Sequence, residues 1–471
     1  MARPSPAVRG GSASRAWSVL EQPWPAFFGV VLALYSAVIV SRLHEVLPYI
    51  GRLYVGKTLS VLLLGAAVAQ LKPEQFAAGF KTKVGKCVLV ITVLALASVP
   101  GSAWPRQSVN FFQQQWSQTL LMCACIMAGF TNRRIAYLTI LAVTFTAALG
   151  ALEFFAGGAQ EFGGRSYIGN DNSSTYDANA SAALFVTVLP YLIMVATRKG
   201  KLQVAAMIAI PVVCAAVVKT VSRGGIIALA VCAVTLLVVA PKKQRKFYIG
   251  LLVIMAATVV IAPHDSLSER FSLLSGSQDY NFNARDGRIE VWKRGMQMMF
   301  THPILGVGVR AYEVANGTTA HSWVNAHNAI VQIGAELGIG GFIVFIVMFA
   351  AAFKAARMVR RRYAPTAQGF ASPETEFEYS LATAALVSLV TELAAAMFLS
   401  MAYDAMTIFV VAVPAALAMR ARAAAPARRP AGAPPQAPLA RQRPVVPVGS
   451  PGWRTARRIP RPLPAPRPNA P

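Results

Sequence analysis

Long apolar stretches alternate with short polar segments along most of the chain. A helix needs roughly 17–25 apolar residues to cross a bilayer, and most of these stretches reach that length. Because they lack the period-2 alternation of barrel strands, helices are the expected spanning elements. The pattern predicts twelve spans, at residues 26–42, 53–71, 84–100, 117–130, 135–155, 180–197, 202–219, 224–240, 247–262, 327–353, 380–400 and 404–419.

The composition supports this interpretation. Of the 471 residues, 55% are hydrophobic and only 14% are charged, and the mean hydropathy is +0.49. A soluble domain carries about 25% charged residues, so the deficit indicates a chain whose core is a bundle embedded in the bilayer. We expect an all-α polytopic membrane protein with about twelve transmembrane helices.

Basic residues mark alternate connections between the predicted spans. By the positive-inside rule these connections face the cytoplasm, and an even number of spans then places both termini there as well. The remaining connections face outward. This topology is typical of a multi-pass protein of an inner-membrane type. The basic groups are Lys72/Lys81/Lys83/Lys86, Arg133/Arg134, Arg198/Lys199/Lys201, Lys242/Lys243/Arg245/Lys246 and Lys354/Arg357/Arg360/Arg361/Arg362.

One outward connection, at 263–326, is too long to be a simple connector, so we expect it to carry function. Its segment from Arg288 to Phe300 places apolar residues at helical spacing, which predicts an interfacial helix along the membrane surface. The expected organisation has five parts: a disordered cytoplasmic head at 1–25, spans one to nine at 26–262, the large periplasmic loop at 263–326, spans ten to twelve at 327–419, and a cytoplasmic tail at 420–471.

The formal net charge of +26 is concentrated partly in that tail. Residues 420–471 contain eleven arginines and no Lys, Asp or Glu, in a background of Ala and Pro. Such a segment cannot bury enough apolar surface to fold, so we expect it to be disordered. Attraction to the anionic lipids of the cytoplasmic leaflet is the favoured role. Nucleic-acid binding is not favoured, because no folded module for reading nucleic acid accompanies the charge.

Three residues suited to phosphate chemistry fall on the outward side. Arg223 lies at the turn between spans seven and eight, Arg288 in the long loop, and His327 at the start of span ten. Guanidinium groups stay charged and bind phosphate oxygens bidentately, so two arginines can hold a pyrophosphate and stabilise its departure. Imidazole can take a proton from an attacking hydroxyl near neutral pH. We therefore expect these three residues to be catalytic.

Neighbouring residues complete the expected site. Gly224 lets the backbone approach a bulky ligand. Asn328 and Glu336 fall on one helical stripe, which favours either a buried hydrogen-bonded network or a catalytic role for the carboxylate. His321 is an alternative base to His327, and the two assignments stay open.

Carboxylates are sparse on the outward side. No DxD or paired-carboxylate cluster is present there, so a metal ion is not expected. Glu153, Glu392 and Asp404 lie near outward ends of spans, where they either line a substrate cavity or pair locally. All five cysteines lie within apolar stretches and form neither a disulfide framework nor a zinc-binding pattern.

Four motifs follow one another in the second half of the chain: Ser222-Arg223-Gly224-Gly225, Gly287-Arg288-x-x-x-Trp292, His302-Pro303-x-x-Gly306-x-Gly308, and His327-Asn328 with Glu336-x-Gly338. In this order and on this side of the membrane they resemble the bacterial O-antigen ligase and polymerase superfamily. The resemblance implies a GT-C-like membrane glycosyltransferase with its active site facing the periplasm. In it Arg223 and Arg288 bind the pyrophosphate and His327 is catalytic. The expected substrate-binding residues are Ser222, Gly224, Trp292, His321, Asn328 and Glu336.

The resemblance also implies the substrates. The donor is a glycan on undecaprenyl pyrophosphate, and in the ligase branch the acceptor is a hydroxyl of lipid A–core or a related glycolipid or glycan. The reaction would invert the anomeric carbon, without a metal ion. Apolar grooves would hold the polyprenyl tail, so no soluble cofactor is expected. A polymerase of polysaccharide repeat units shares this skeleton and stays an alternative. A secondary transporter is an alternative of another class, although transporters place their polar groups near the midplane rather than at one face.

Overall fold

Helices make up most of the described part of this chain. The structure is a computed structural model, and it describes residues 24–42, 54–156, 160–162, 165–167, 178–240, 245–261 and 286–424. The predicted head up to residue 23, the first part of the long loop at 262–285 and the tail from residue 425 lie outside the described residues. The expectation of disorder in the head and tail therefore stays a prediction.

The helices are numbered in chain order among the described residues. Helices α1 to α7 are Ala26–Ser41, Val55–Gln70, Pro73–Lys81, Lys83–Ser98, Pro105–Phe111, Ser117–Gly129 and Arg133–Glu153, with a π-helical turn at Phe112–Trp116 between α5 and α6. Two short antiparallel strands follow, β1 at Gln160–Phe162 and β2 at Arg165–Tyr167. Helices α8 to α16 are Ala178–Ala196, Lys201–Lys219, Arg223–Val239, Arg245–Ile261, Arg288–Thr301, Tyr312–Ala320, Ala329–Arg362, Pro373–Ala396 and Ala405–Ala423.

Each of the twelve predicted spans coincides with one of these helices. By length and composition six of the described helices can cross a membrane: α7, α8, α9, α14, α15 and α16. A seventh crossing results if α2 and α3, bent by 108° at their junction, form one broken span. Helices α1 and α10 are apolar but shorter. The protein is therefore a helical membrane protein, and the number of twelve crossings stays a prediction.

Helices α8, α15 and α16 form the most buried part of the bundle, with more than three quarters of each apolar window inside. Aliphatic side chains on the outer helices remain exposed, for example Val61 and Val68 on α2 and Val238 on α10. In a soluble protein such a surface would be unfavourable, whereas in a bilayer it contacts lipid tails. The burial pattern thus agrees with a bundle embedded in hydrocarbon.

The longest helix, α14, is broken at Gly338, whose φ of 69° and ψ of −166° are not helical. The N–H that follows the break, on Ile339, donates to the Pro303 carbonyl at 2.9 Å. A Cβ at residue 338 would lie 2.4 Å from that same carbonyl oxygen. Glycine is required here both for its positive φ and for this close approach.

The segment 303–310, called here the 303–310 turn, replaces the helical hydrogen bonds that the break removes. The Val307 N–H donates to the Ala335 carbonyl at 2.9 Å, and the Gly308 N–H donates to the Glu336 carbonyl at 3.1 Å. Backbone carbonyls in an apolar environment need such partners. The motif around Pro303 and the motif around Gly338 are therefore two halves of one backbone contact.

The 303–310 turn is also held from its other side by the connection between α4 and α5. The Val309 N–H donates to the Ser98 hydroxyl at 3.1 Å, and the Ser108 hydroxyl donates to the Val309 carbonyl at 2.6 Å. A Cβ at Gly308 would lie 2.3 Å from the Ser102 hydroxyl. The turn is thus wedged between two parts of the bundle and has little freedom to move.

At one end of the bundle, buried charges join three helices. Glu378 on α15 accepts hydrogen bonds from Arg133 on α7 at 2.8 Å and from Arg420 on α16 at 2.6 Å. Arg420 also donates to the Phe130 carbonyl at 2.6 Å. Arg420, where the predicted tail begins, is thus buried and helical, and α16 continues to Ala423.

The two ends of the bundle separate the two sets of loops. Arg133, Glu378 and Arg420 all lie at helix ends that the charge pattern assigns to the cytoplasm. From Glu378 to Ala396, α15 rises about 27 Å at 1.5 Å per residue, close to the roughly 30 Å thickness of the hydrocarbon layer. The helix ends that are predicted to face outward meet at the other end, and the candidate site lies there.

We expect Gly338→Ala to destabilise the protein by at least about 2 kcal/mol, because alanine has to adopt a left-handed conformation and its Cβ clashes with the Pro303 carbonyl. The measurement is the apparent Tm of the purified full chain in detergent. The matched control is Gly340→Ala on the same helix, where the nearest side-chain atom to a new Cβ is 3.6 Å away on Leu94. Equal Tm shifts for both variants would contradict the proposed role of the break.

Candidate active site at the outward end of the bundle

The loop between α15 and α16, residues 397–404, brings together the elements that carry the expected catalytic residues. The Arg288 guanidinium carbon lies 5.7 Å from the centroid of the Phe398 ring, within the range of a cation–π interaction. Gly224, at the start of α10, packs against the same ring, and a Cβ there would lie 2.9 Å from the Phe398 Cβ. Arg288 and the N-terminus of α10 are therefore neighbours across one aromatic side chain.

Arg223 is the half-buried first residue of α10. The helix is capped by Ser222, whose hydroxyl accepts from the Gly225 N–H at 3.0 Å and donates to Asn179 at 2.7 Å. Val221, just before the cap, has a φ of 51°, which is unusual for a β-branched residue. Ser222 is completely buried and its hydroxyl is fully used, so it fixes the position of Arg223. Direct contact of Ser222 or Gly224 with substrate stays a prediction.

His327 lies just before α14 and has a φ of 48°. Its backbone N–H donates to the Ser400 hydroxyl at 2.8 Å, which attaches it to the 397–404 loop. Asn328 provides the helix cap, accepting from the Ile330 N–H at 2.9 Å and the Val331 N–H at 3.1 Å. The capping role thus belongs to Asn328, and the half-buried imidazole of His327 lines the cavity described below.

His321, the alternative base, occupies a different environment. It ends α13 in a left-handed conformation and its side chain is exposed. It is not among the residues that line the cavity. Between the two candidates, the geometry favours His327.

Trp292 on α12 supports the segment that leads to His327. Its indole N–H donates to the Ala326 carbonyl at 3.0 Å. Arg294, two residues further along the same helix, donates to Asn316 at 2.7 Å and to Ser322 at 3.1 Å. The described part of the long loop is therefore a folded unit packed on α14. Trp292 acts in it as a positioning residue, and its contact with substrate stays a prediction.

Glu336 is buried and connects three elements. One carboxylate oxygen accepts from the Arg310 backbone N–H at 2.9 Å, and the other accepts from the Gln332 amide at 3.5 Å. Gln332 in turn accepts from the Ala402 N–H at 3.2 Å. Burial and the nearby Glu336 carboxylate raise the pKa of the Tyr403 phenol well above its usual range, so this hydroxyl stays protonated. These contacts favour the hydrogen-bonded network over a catalytic role for Glu336.

An open cavity of about 130 Å³ lies between these elements. All of its lining residues come from helix ends or loops that the charge pattern assigns to the outward side. Its floor and walls mix apolar groups with amides, hydroxyls and charges. The lining residues are Val40, Arg42, Gln115, Ala180, Leu184, Arg310, Asn325, His327, Leu399, Ser400, Met401, Tyr403, Asp404 and Met406.

Of the three expected catalytic residues, only His327 lines this cavity directly. Arg288 and the start of α10 lie beside it, on Phe398, which precedes the lining residue Leu399. The structure thus places Arg288, His327 and the helix end that carries Arg223 around one loop, and neither arginine is among the residues that line the cavity.

Two cavity arginines, Arg42 and Arg310, were not singled out from the sequence. Arg42 forms an ion pair with Asp404, which also caps α16 by accepting from the Met406 N–H at 3.2 Å. Asp404 therefore both lines the cavity and pairs locally. The signal in the sequence for Arg42 was its position at the outward end of the first predicted span, where a positive residue is unexpected. Glu392, by contrast, is enclosed by the Thr187 and Thr407 hydroxyls and is not among the lining residues.

Within the described ranges, no group of three or more His, Cys, Asp or Glu side chains is placed to hold a metal ion. The charged groups at the cavity are mainly guanidinium groups. Such a site is suited to binding anions, and phosphate oxygens above all.

Residues 212–346 match the model of a protein family described as O-antigen ligase. The matched segment contains Arg223, Arg288, Arg310 and His327, together with the broken part of α14, and it covers less than a third of the chain. The 397–404 loop lies outside it. A search of curated proteins returned no match to the chain.

We expect Gly224→Ala to lower the apparent Tm, because its Cβ would clash with Phe398. Phe398→Ala removes the Cγ and Cδ2 atoms that would lie 3.0 and 3.1 Å from the new Cβ, so the loss of stability in the double variant should be smaller than the sum of the two single losses. Additive effects would argue against direct packing, since coupling energies of about 0.5–3 kcal/mol are usual for residues in contact. Gly65→Ala is the matched control, because nothing lies within 4 Å of a Cβ there.

Proposed function

We propose that this chain, whose residues 212–346 match the model of the O-antigen ligase family, transfers a lipid-linked glycan to an acceptor hydroxyl. The donor in this proposal is a glycan on undecaprenyl pyrophosphate, and the acceptor is lipid A–core or a related glycolipid. The single observation that carries the proposal is the gathering of Arg223, Arg288 and His327 around the 397–404 loop.

The proposed chemistry divides the work between these residues. His327 accepts the proton of the acceptor hydroxyl as the oxygen attacks the anomeric carbon. The bond from that carbon to the pyrophosphate oxygen breaks, and the electron pair leaves with the pyrophosphate. Arg223 and Arg288 hold the departing group and stabilise its growing negative charge. Attack from the face opposite the leaving group inverts the anomeric configuration.

Several observations support a periplasmic site in the inner membrane. The cavity is formed by the outward ends of the helices, while the ion cluster of Glu378 lies at the opposite, basic end. A glycan as large as a polysaccharide can reach an open cavity at a membrane face but not the interior of the bundle. The exposed apolar surfaces of the outer helices are available for the polyprenyl tail.

We expect His327→Ala to lower the rate of glycan transfer by about 100-fold or more, the usual contribution of a general base. Arg288→Lys should also lower the rate, because an ammonium group keeps the charge but cannot bind phosphate bidentately. The measurement is transfer from a purified lipid-linked donor to acceptor by the full-length protein in detergent. His321→Ala is the matched control and should transfer at the wild-type rate. A His327→Ala variant with wild-type transfer would refute the assignment.

A deletion strain separates the two branches of the family. For a ligase, we expect the loss of all polymeric glycan from lipid A, with lipid-linked polymer accumulating in the membrane. For a polymerase, a single repeat unit would remain attached to lipid A. Electrophoresis of the surface polysaccharide distinguishes the two patterns.

A further inference from the structure

Arg310 lines the cavity with a positive charge that no described residue neutralises by direct contact. Its backbone N–H donates to Glu336, but among the described residues its guanidinium donates no hydrogen bond and forms no ion pair. The other arginine of the cavity lining, Arg42, is paired with Asp404. A guanidinium group in a partly enclosed cavity gains most when an anion with oxygen acceptors binds to it.

The alternative is that Arg310 serves only as a counter-ion for the buried Glu336. The carboxylate does attract it through space. An arginine that serves as a counter-ion is most effective in direct contact with the carboxylate. At a greater distance the electrostatic attraction is weaker and the bidentate hydrogen bonds cannot form. The Glu336 oxygens are instead used by the Arg310 backbone N–H at 2.9 Å and the Gln332 amide at 3.5 Å. The position of the guanidinium in the cavity lining is therefore better explained by a ligand.

The backbone of Arg310 supports a role for its side chain. Its φ is 60°, in the left-handed region and close to the 63° of Gly306 in the same turn. A residue with a Cβ costs about 1–2 kcal/mol there, whereas glycine has no such penalty. Strained conformations of this kind cluster at ligand-binding sites. Glycine would therefore avoid this backbone penalty at position 310. The charged side chain is what arginine adds there, which supports a role for the guanidinium group.

We propose that Arg310 is a substrate-binding residue that holds an anionic group, a phosphate or a carboxylate, inside the cavity beside His327. This inference rests on the proposed function for the identity of the substrates. Either substrate can carry the anionic group that Arg310 binds. On the donor it is the pyrophosphate, and on the acceptor it is an acidic substituent of the sugar. Arg310 adds a guanidinium from the 303–310 turn to those on α10 and α12.

The test uses Arg310→Gly in the purified full chain. Glycine keeps the N–H that donates to Glu336 and removes the left-handed strain, so the apparent Tm should stay the same or rise. Affinity is measured by calorimetry for inorganic pyrophosphate, which represents the donor, and for glucose 6-phosphate, which represents an acidic acceptor sugar. The affinity for one of these anions should fall about tenfold or more, as expected for the loss of a charge-assisted hydrogen bond. Glucose is the uncharged control ligand.

Arg106→Gln is the matched control variant, because Arg106 is exposed at the start of α5 and outside the cavity. It should bind both anions as the wild type does. If Arg310→Gly does not fold, Arg310→Asn replaces it, since asparagine tolerates the left-handed region. Loss of pyrophosphate affinity identifies the donor as the source, and loss of glucose 6-phosphate affinity identifies the acceptor.

Wild-type affinity of the Arg310 variant for both anions would overturn the proposal, as would a wild-type protein that binds neither. The binding measurement does not require transfer of a glycan. A protein that binds an anion through Arg310 yet transfers no glycan would therefore refute the proposed function alone.

Discussion

The outward end of this protein depends on one constraint, which is that backbone groups freed inside an apolar helix have to find new partners. The break of α14 at Gly338 creates such groups, and the 303–310 turn satisfies them. Because the turn is fixed in this way, its last residue, Arg310, has a fixed position at the cavity. The Glu336 side chain then accepts the N–H of Arg310, so the break, the turn and the cavity wall form one assembly.

Strained backbone conformations at the site are likewise held in place by contacts with surrounding residues. Val221, Arg310 and His327 all have a positive φ, although each carries a Cβ. Each strained residue is held by neighbours that leave it no relaxed alternative. Val221 precedes the buried cap of α10, Arg310 is bonded to Glu336, and His327 is bonded to Ser400. The free energy that these conformations cost, of order 1–2 kcal/mol each, is offset by packing in the rest of the bundle.

Much of the fold followed from the sequence, because the period and length of apolar stretches are local properties. All twelve predicted spans coincide with helices, and the helix from Arg288 begins where its pattern predicted. The family resemblance was confirmed for residues 212–346. The break at Gly338 was not predicted, since a single glycine in an apolar helix is compatible with a straight helix.

The site was predicted only in part, for a related reason. Arg223, Arg288 and His327 were identified because their chemistry is visible in the sequence and the charge pattern gave them a common side. The loop that gathers them, residues 397–404, has an ordinary composition, and its role arises from contacts between residues far apart in the chain. Arg310 was missed because its significance lies in its left-handed backbone and in its position at the cavity, and neither is a local pattern.

The combined charge of the residues around the cavity fits the proposed reaction. Arg42 and Arg310 contribute two positive charges to the lining and Asp404 one negative charge, while Glu336 lies behind Arg310. In the proposed reaction, His327 becomes positive when it takes the proton, and at the same moment the departing pyrophosphate would gain negative charge. These two new charges would stabilise each other. The positive groups of the site would then bind the diphosphate before the reaction and would not have to move as the bond to the anomeric carbon breaks.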